Sequence, residues 1–214
     1  MGFVAKLRFW FKFVLCKWFR KAAGSANTFS YQELKELVQE YAPEQVIELF
    51  GFSKIIRLVR NLVYSGEWDE DLYNYAIELL EQLRKECPER WNSDWHYDGM
   101  LGHVCQIVLD CDRRYAAYSR AMRKVHPAPP ELLVAMSACS SAPGKPPMTE
   151  EESIALLKQA VQVGPYVEAV EFLIGAYRCS ENTKEQKYWE AVLEQIGDNG
   201  LKLPRLDEVP ERDR

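Results

Sequence analysis

From residue 30 onward the apolar residues recur at intervals of three and four, and no stretch alternates convincingly with polar residues over a strand's length. That periodicity confines the chain to an all-α fold, because a helical repeat cannot keep one face of a sheet apolar. Leu34, Leu37, Val38 and Tyr41 follow Ser30, and Pro43 interrupts them. Val46, Ile47, Leu49 and Phe50 form a short second piece, and Ile55, Ile56, Leu58, Val59, Leu62 and Val63 a third. Asp69 opens a long helix carrying Leu72, Tyr75, Ala76, Leu79, Leu80 and Leu83. Carboxylates crowd its start and Arg84 and Lys85 its end, as the helix dipole favours, and Pro88 stops it.

Further helices are predicted over 94–109 and 113–125, the first weakened by Gly99 and Gly102, and another begins at Pro129–Pro130. The Pro/Gly/Ser-rich stretch 140–147 is the clearest loop and a candidate boundary between two halves, too short for a flexible tether. Thr149 with Glu152, and Thr183 with Gln186, have capping-box spacing. Gly164–Pro165 reads as a helix stop followed at once by a start.

Within 149–197, Ala155, Leu156 and Leu157 lead into Ala160, Gly164, Ala169, Leu173, Gly175 and Tyr177. Tyr188, Trp189 and Ala191 follow before Gly197. This run resembles the short, Sel-type relatives of tetratricopeptide repeats, with one extra residue between Gly164 and Ala169 and Gly175 one place late. The resemblance implies stacked antiparallel helical hairpins whose small residues allow close crossing. It also implies adaptor-type protein binding, and some small bacterial members resemble immunity proteins that occlude a toxin. The bland alternative is an irregular helical bundle.

Charge divides the chain differently. The first acidic residue is Glu33, so residues 1–32 carry +6 and the remainder −11 of the overall −5. On a helix, Val4, Leu7, Phe11, Val14, Leu15 and Trp18 share one face, flanked by Lys6, Arg8, Lys12, Lys17, Arg20 and Lys21. A central lysine costs about 3 kcal/mol on insertion scales, so this segment is expected to lie in a membrane interface rather than span it. Lys6, Arg8, Phe11, Lys12, Lys17, Trp18, Arg20 and Lys21 are the expected contacts to an anionic leaflet, each cation adding ~1 kcal/mol. The competing reading packs this helix onto the acidic body as a core element.

Chemistry is sparse. Seven residues separate His96 from His103 and His103 from Asp110. That is a rise of about 10.5 Å per step, too far to share one ion. Gly144–Lys145 lacks both the earlier Gly and the following Ser or Thr of a phosphate loop, and no nucleophile elbow is present. The six cysteines are scattered within apolar patterns, which suits free thiols in a reducing compartment. No catalytic residue, metal or cofactor is therefore expected. The acidic body also argues against nucleic acid.

The expected binding surface is aromatic and acid-rimmed: Trp68, Trp91, Trp95 and Tyr97 with Asp94 and Asp98, offered to a basic protein partner. The rings could equally fill gaps between helices. The sequence thus predicts a basic amphipathic helix over 1–24, a helical-repeat-like domain over 30–198 and a polar tail over 199–214. It would serve as a non-catalytic interaction protein, cytoplasmic and peripheral to a membrane. The alternatives are a membrane-surface enzyme or lipid-binding module, and a soluble bundle with the first helix in its core.

Overall fold

The computed structural model describes residues 29–206 other than residue 145. The basic segment 1–24, with all of its expected lipid contacts, and the last eight residues of the tail lie outside the described residues. What is described is all-α: eleven α-helices and two short 3-10 turns, with no strand among the described residues. The described chain divides into two compact units between Pro88 and Glu89, not at the 140–147 loop.

The first unit holds α1 (Tyr31–Glu40), α2 (Pro43–Ile47), α3 (Phe52–Val63) and α4 (Glu70–Glu86). Glu33 closes the start of α1 by accepting from the Ser30 amide at 2.8 Å and its hydroxyl at 2.7 Å. Pro43 is the first residue of α2, where its missing N–H costs nothing. Leu34 and Leu37 of α1, the Ile55–Ile56–Val59–Leu62 stripe of α3, and Leu72, Ala76, Leu79 and Leu80 of α4 are fully buried. Asp69 caps α4, accepting from the amides of Asp71 and Leu72 at 3.0 and 3.3 Å. Its other oxygen accepts from Tyr31 Oη at 2.6 Å and pairs with Lys35 Nζ at 2.7 Å, which ties α1 to the head of α4. Tyr75 Oη donates to the Tyr41 carbonyl at 2.7 Å, satisfying the end of α1.

The second unit begins in α5 (Pro88–Asn92), for which Pro88 serves as first residue rather than only as a stop. It continues with α6 (His96–Ile107), α7 (Cys111–Lys124), α8 (Pro130–Ser137), a 3-10 turn (Ala138–Ser141), α9 (Glu150–Val163), α10 (Val167–Cys179) and α11 (Thr183–Ile196). Gly102 does not weaken α6. It is where α7 comes closest, since a Cβ there would stand 2.3 Å from Tyr118 Cε1. Leu109, between α6 and α7, is left-handed at φ 59. Asp110 then caps α7 by accepting from the Arg113 amide at 3.0 Å.

Thr149 and Glu152 form the expected box at α9: the Glu152 amide donates to Thr149 Oγ1 at 3.2 Å, and the Thr149 amide to Glu152 Oε2 at 2.8 Å. At α11 the expectation fails by one residue. Asn182 is the cap, accepting from the Glu185 amide at 3.3 Å, and Gln186 turns instead to Glu190 at 2.8 Å. Nor does Pro165 start α10 at once, because 164–166 stay extended and Tyr166 bridges to Leu201. The Val167 amide donates to Leu201 O at 3.0 Å, and the Leu201 amide to Pro165 O at 2.9 Å. The start of the tail is therefore packed rather than free. Leu203 and Leu206 rest against the apolar clusters of this unit, and the Leu203 amide donates to Glu168 Oε2 at 3.3 Å.

Candidate functional site

The aromatic, acid-rimmed surface expected from sequence is largely turned inward. Trp91 and Tyr97 are fully buried with ring centroids 5.6 Å apart, and Asp98 is fully buried beside them. Asp98 accepts from Arg120 Nε at 2.8 Å, and its second oxygen lies 2.6 Å from Lys124 Nζ. Lys124 also donates to the Trp91 carbonyl at 2.8 Å. This cluster bolts α5 and α6 to α7, and removing one partner would strand a buried charge. Its members are core, not contact surface.

Asp94 and Trp95 are half-buried, both engaged with His96. The His96 Nδ1 lies 2.6 Å from Asp94 Oδ1, and its ring stacks on Trp95 at 3.9 Å. Trp68 belongs to the first unit and is 68% exposed, with its ring 6.1 Å from Tyr73. The six residues do not form one face within either unit.

A different feature of the second unit has the shape of a site. A cavity of about 610 Å³ opens between α7, the α8–3-10 segment and the α9–α10 hairpin. Its deep lining includes Arg114, Ser137, Ser153 and Leu157, all buried. Its mouth carries the exposed side chains of Glu150, Glu171, Phe172 and Cys179. Gly175 lies in the wall, and a Cβ on it would meet nothing within 4 Å. That glycine was expected at a close helix crossing, but it borders open space.

Arg114 reaches this position because α7 carries it on the buried stripe with Ala117, Tyr118 and Ala121. It is 6% exposed, and one Nη donates to the Ala138 carbonyl at 3.3 Å. The Nε has no acceptor. No carboxylate among the described residues lies within ion-pair distance of the guanidinium. Burial pushes the neighbouring Cys139 thiol up from its ordinary pKa, and Arg114 pulls it partly back. Sequence reasoning did not single out Arg114. The available signal was its register, a charge at the apolar position of an otherwise regular stripe.

Among the described residues no group of three or more His, Cys, Asp or Glu is placed to hold a metal ion. What the cavity offers is a mixed lining: a cation and hydroxyls at depth, an aromatic ring and two carboxylates at the mouth. Comparison of the chain with protein-family models, with curated proteins and with solved structures gives no match.

Proposed function

We propose that this chain is a non-catalytic protein-interaction protein, of adaptor or immunity type. Its helical body takes a segment of a partner protein into the α7–α9–α10 groove. Its basic N-terminal stretch holds it at an anionic membrane surface facing the cytoplasm. The groove is the observation that carries the reading. Its volume suits a few side chains, and it combines a mouth bearing the Phe172 ring and two carboxylates with polar groups held at depth by packed helices.

The hairpin arrangement supports a Sel-like stacking. Leu157, Ala160, Ala169, Leu173 and Tyr177 of the resemblance are all buried in one cluster with Trp189. The membrane half rests on the cationic, aromatic pattern of 1–24. Among the described residues no helix is long and apolar enough to cross a membrane.

Two experiments test the halves separately. Random peptides selected on the full chain should lose binding to Gly175→Trp, a bulky ring placed in the groove wall at a position where a Cβ would meet nothing within 4 Å. Selected peptides that bind both forms equally would place binding elsewhere. For the head, the full chain should sediment with phosphatidylserine vesicles while a chain lacking residues 1–24 stays in solution; equal sedimentation of both removes the anchor.

A further inference from the structure

We propose that the segment bound in the groove carries an acidic side chain set between basic ones. Its carboxylate reaches Arg114 at depth, and the flanking cations meet Glu150 and Glu171 at the mouth. This rests on reading the groove as a binding site and adds the chemistry of the occupant.

The argument starts from the unused polar capacity of the lining. A guanidinium has five N–H donors in a planar fork, and Arg114 spends them only on a long bond to the Ala138 carbonyl and a contact to the Cys139 thiol. Arg120 and Lys124, later on the same helix, both hold Asp98. Arg114, more buried than either, has no carboxylate within ion-pair distance among the described residues. A buried cation without a counter-ion is costly, and an arriving carboxylate would offset that cost bidentately.

Ser153 is the second polar group of the lining, 5% exposed. It can donate to the same carboxylate. At the mouth the sign reverses, since neither Glu150 nor Glu171 has a cation within ion-pair distance among the described residues. Phe172, half-exposed beside Glu171, offers a ring to the alkyl stems of lysine or arginine. A purely acidic segment would be repelled at the entrance, and a purely basic one would leave Arg114 unmatched. The alternating segment answers both.

Three blocked peptides of equal length test this on the full chain: one aspartate between two lysines, its asparagine counterpart, and one lysine between two glutamates. Binding is read by fluorescence polarisation. The aspartate peptide should bind at least ~10-fold tighter than the asparagine peptide, the factor expected of a charge-assisted hydrogen bond. Arg114→Gln should abolish that ratio and Arg114→Lys should keep part of it, while Glu171→Gln should weaken both peptides alike. The inverted peptide should bind least.

The ratio within the wild-type chain decides the case even if Arg114→Gln fails to fold. Equal binding of the aspartate and asparagine peptides, still blocked by Gly175→Trp, overturns the carboxylate assignment and leaves the groove standing. Aspartate-peptide binding unaffected by Gly175→Trp overturns the groove itself. No binding at millimolar peptide also overturns the assignment.

Discussion

Replacing Gly102 by alanine sets two magnitudes of opposite sign against each other. In an isolated helix the change should stabilise by about 1 kcal/mol, because glycine is that much the poorer helix former. In α6, however, the new methyl would stand 2.3, 2.5 and 2.9 Å from three atoms of the Tyr118 ring. Ordinary carbon contacts are about 3.5–4.0 Å, so the ring must move by more than 1 Å or α6 and α7 must part. Tyr118 is fully buried, and its hydroxyl donates to Gln106 Oε1 at 3.1 Å, so the ring cannot simply swing into solvent.

Overpacking of this kind costs about 3 kcal/mol at the upper end of its usual range, which leaves Gly102→Ala destabilised by ~2 kcal/mol net. For a unit of this size that lowers the melting midpoint by roughly 6–10 °C. Urea unfolding followed by far-UV circular dichroism measures it. Tyr118→Leu should be less harmful in the Gly102→Ala background than alone, with a coupling of about 1–2 kcal/mol in a double-mutant cycle. A Gly102→Ala chain as stable as wild type, or more so, would show that helix propensity wins and that the close α6–α7 approach is wrong.

Three further outcomes follow from measured geometry. Asp98→Asn should destabilise by about 2–4 kcal/mol, because Arg120 and Lys124 lose their shared counter-ion, as read from the urea midpoint. Lys35 first and Tyr31 second hold the Asp69 carboxyl down to about 2, so its contribution is complete above about pH 4 and lost as pH falls through about 2. Asp69→Asn keeps a cap but should remove about 1–2 kcal/mol near neutrality, allowing for the partly exposed Lys35, and should flatten acid unfolding in that window. Leu109, left-handed at φ 59 and 70% exposed, should gain about 0.5–1 kcal/mol as Leu109→Asn, since asparagine tolerates that conformation better; an unchanged melting temperature counts against the strain.

The helices were legible because periodicity is a local property: α4, α7, α9 and α10 lie within a few residues of where the apolar spacing puts them. Their ends were less so. The α11 cap shifted from Thr183 to Asn182 because two adjacent residues can both accept an N-terminal amide, and only backbone geometry chooses. The burial of Trp91, Tyr97 and Asp98 escaped the sequence for a stronger reason. Asp98 shares a stripe with Leu101 and Cys105, and its cations lie at 120 and 124 on the next helix. Composition treats an aspartate beside a tryptophan as surface, whereas the fold buries both by supplying cations across a helix crossing. Glycine was misread twice in opposite senses: Gly102 fills a close approach, and Gly175 faces a void. The pattern of a single helix does not record what stands opposite it.

Net charge therefore divides into two physical effects that salt can separate. The −11 carried by residues 33–214 acts at a distance, and its reach is about 8 Å at physiological ionic strength. It should draw a basic segment toward the body and raise the association rate, an effect that weakens as salt is added. Arg114 acts only at contact, from a position 6% exposed where mobile ions penetrate poorly. Raising salt from low to high should thus slow association of the lysine-flanked aspartate peptide. The aspartate-to-asparagine affinity ratio should change much less. A ratio that collapses in step with the association rate would mean the aspartate is read at the solvent-exposed surface, and that Arg114 is not its counter-ion.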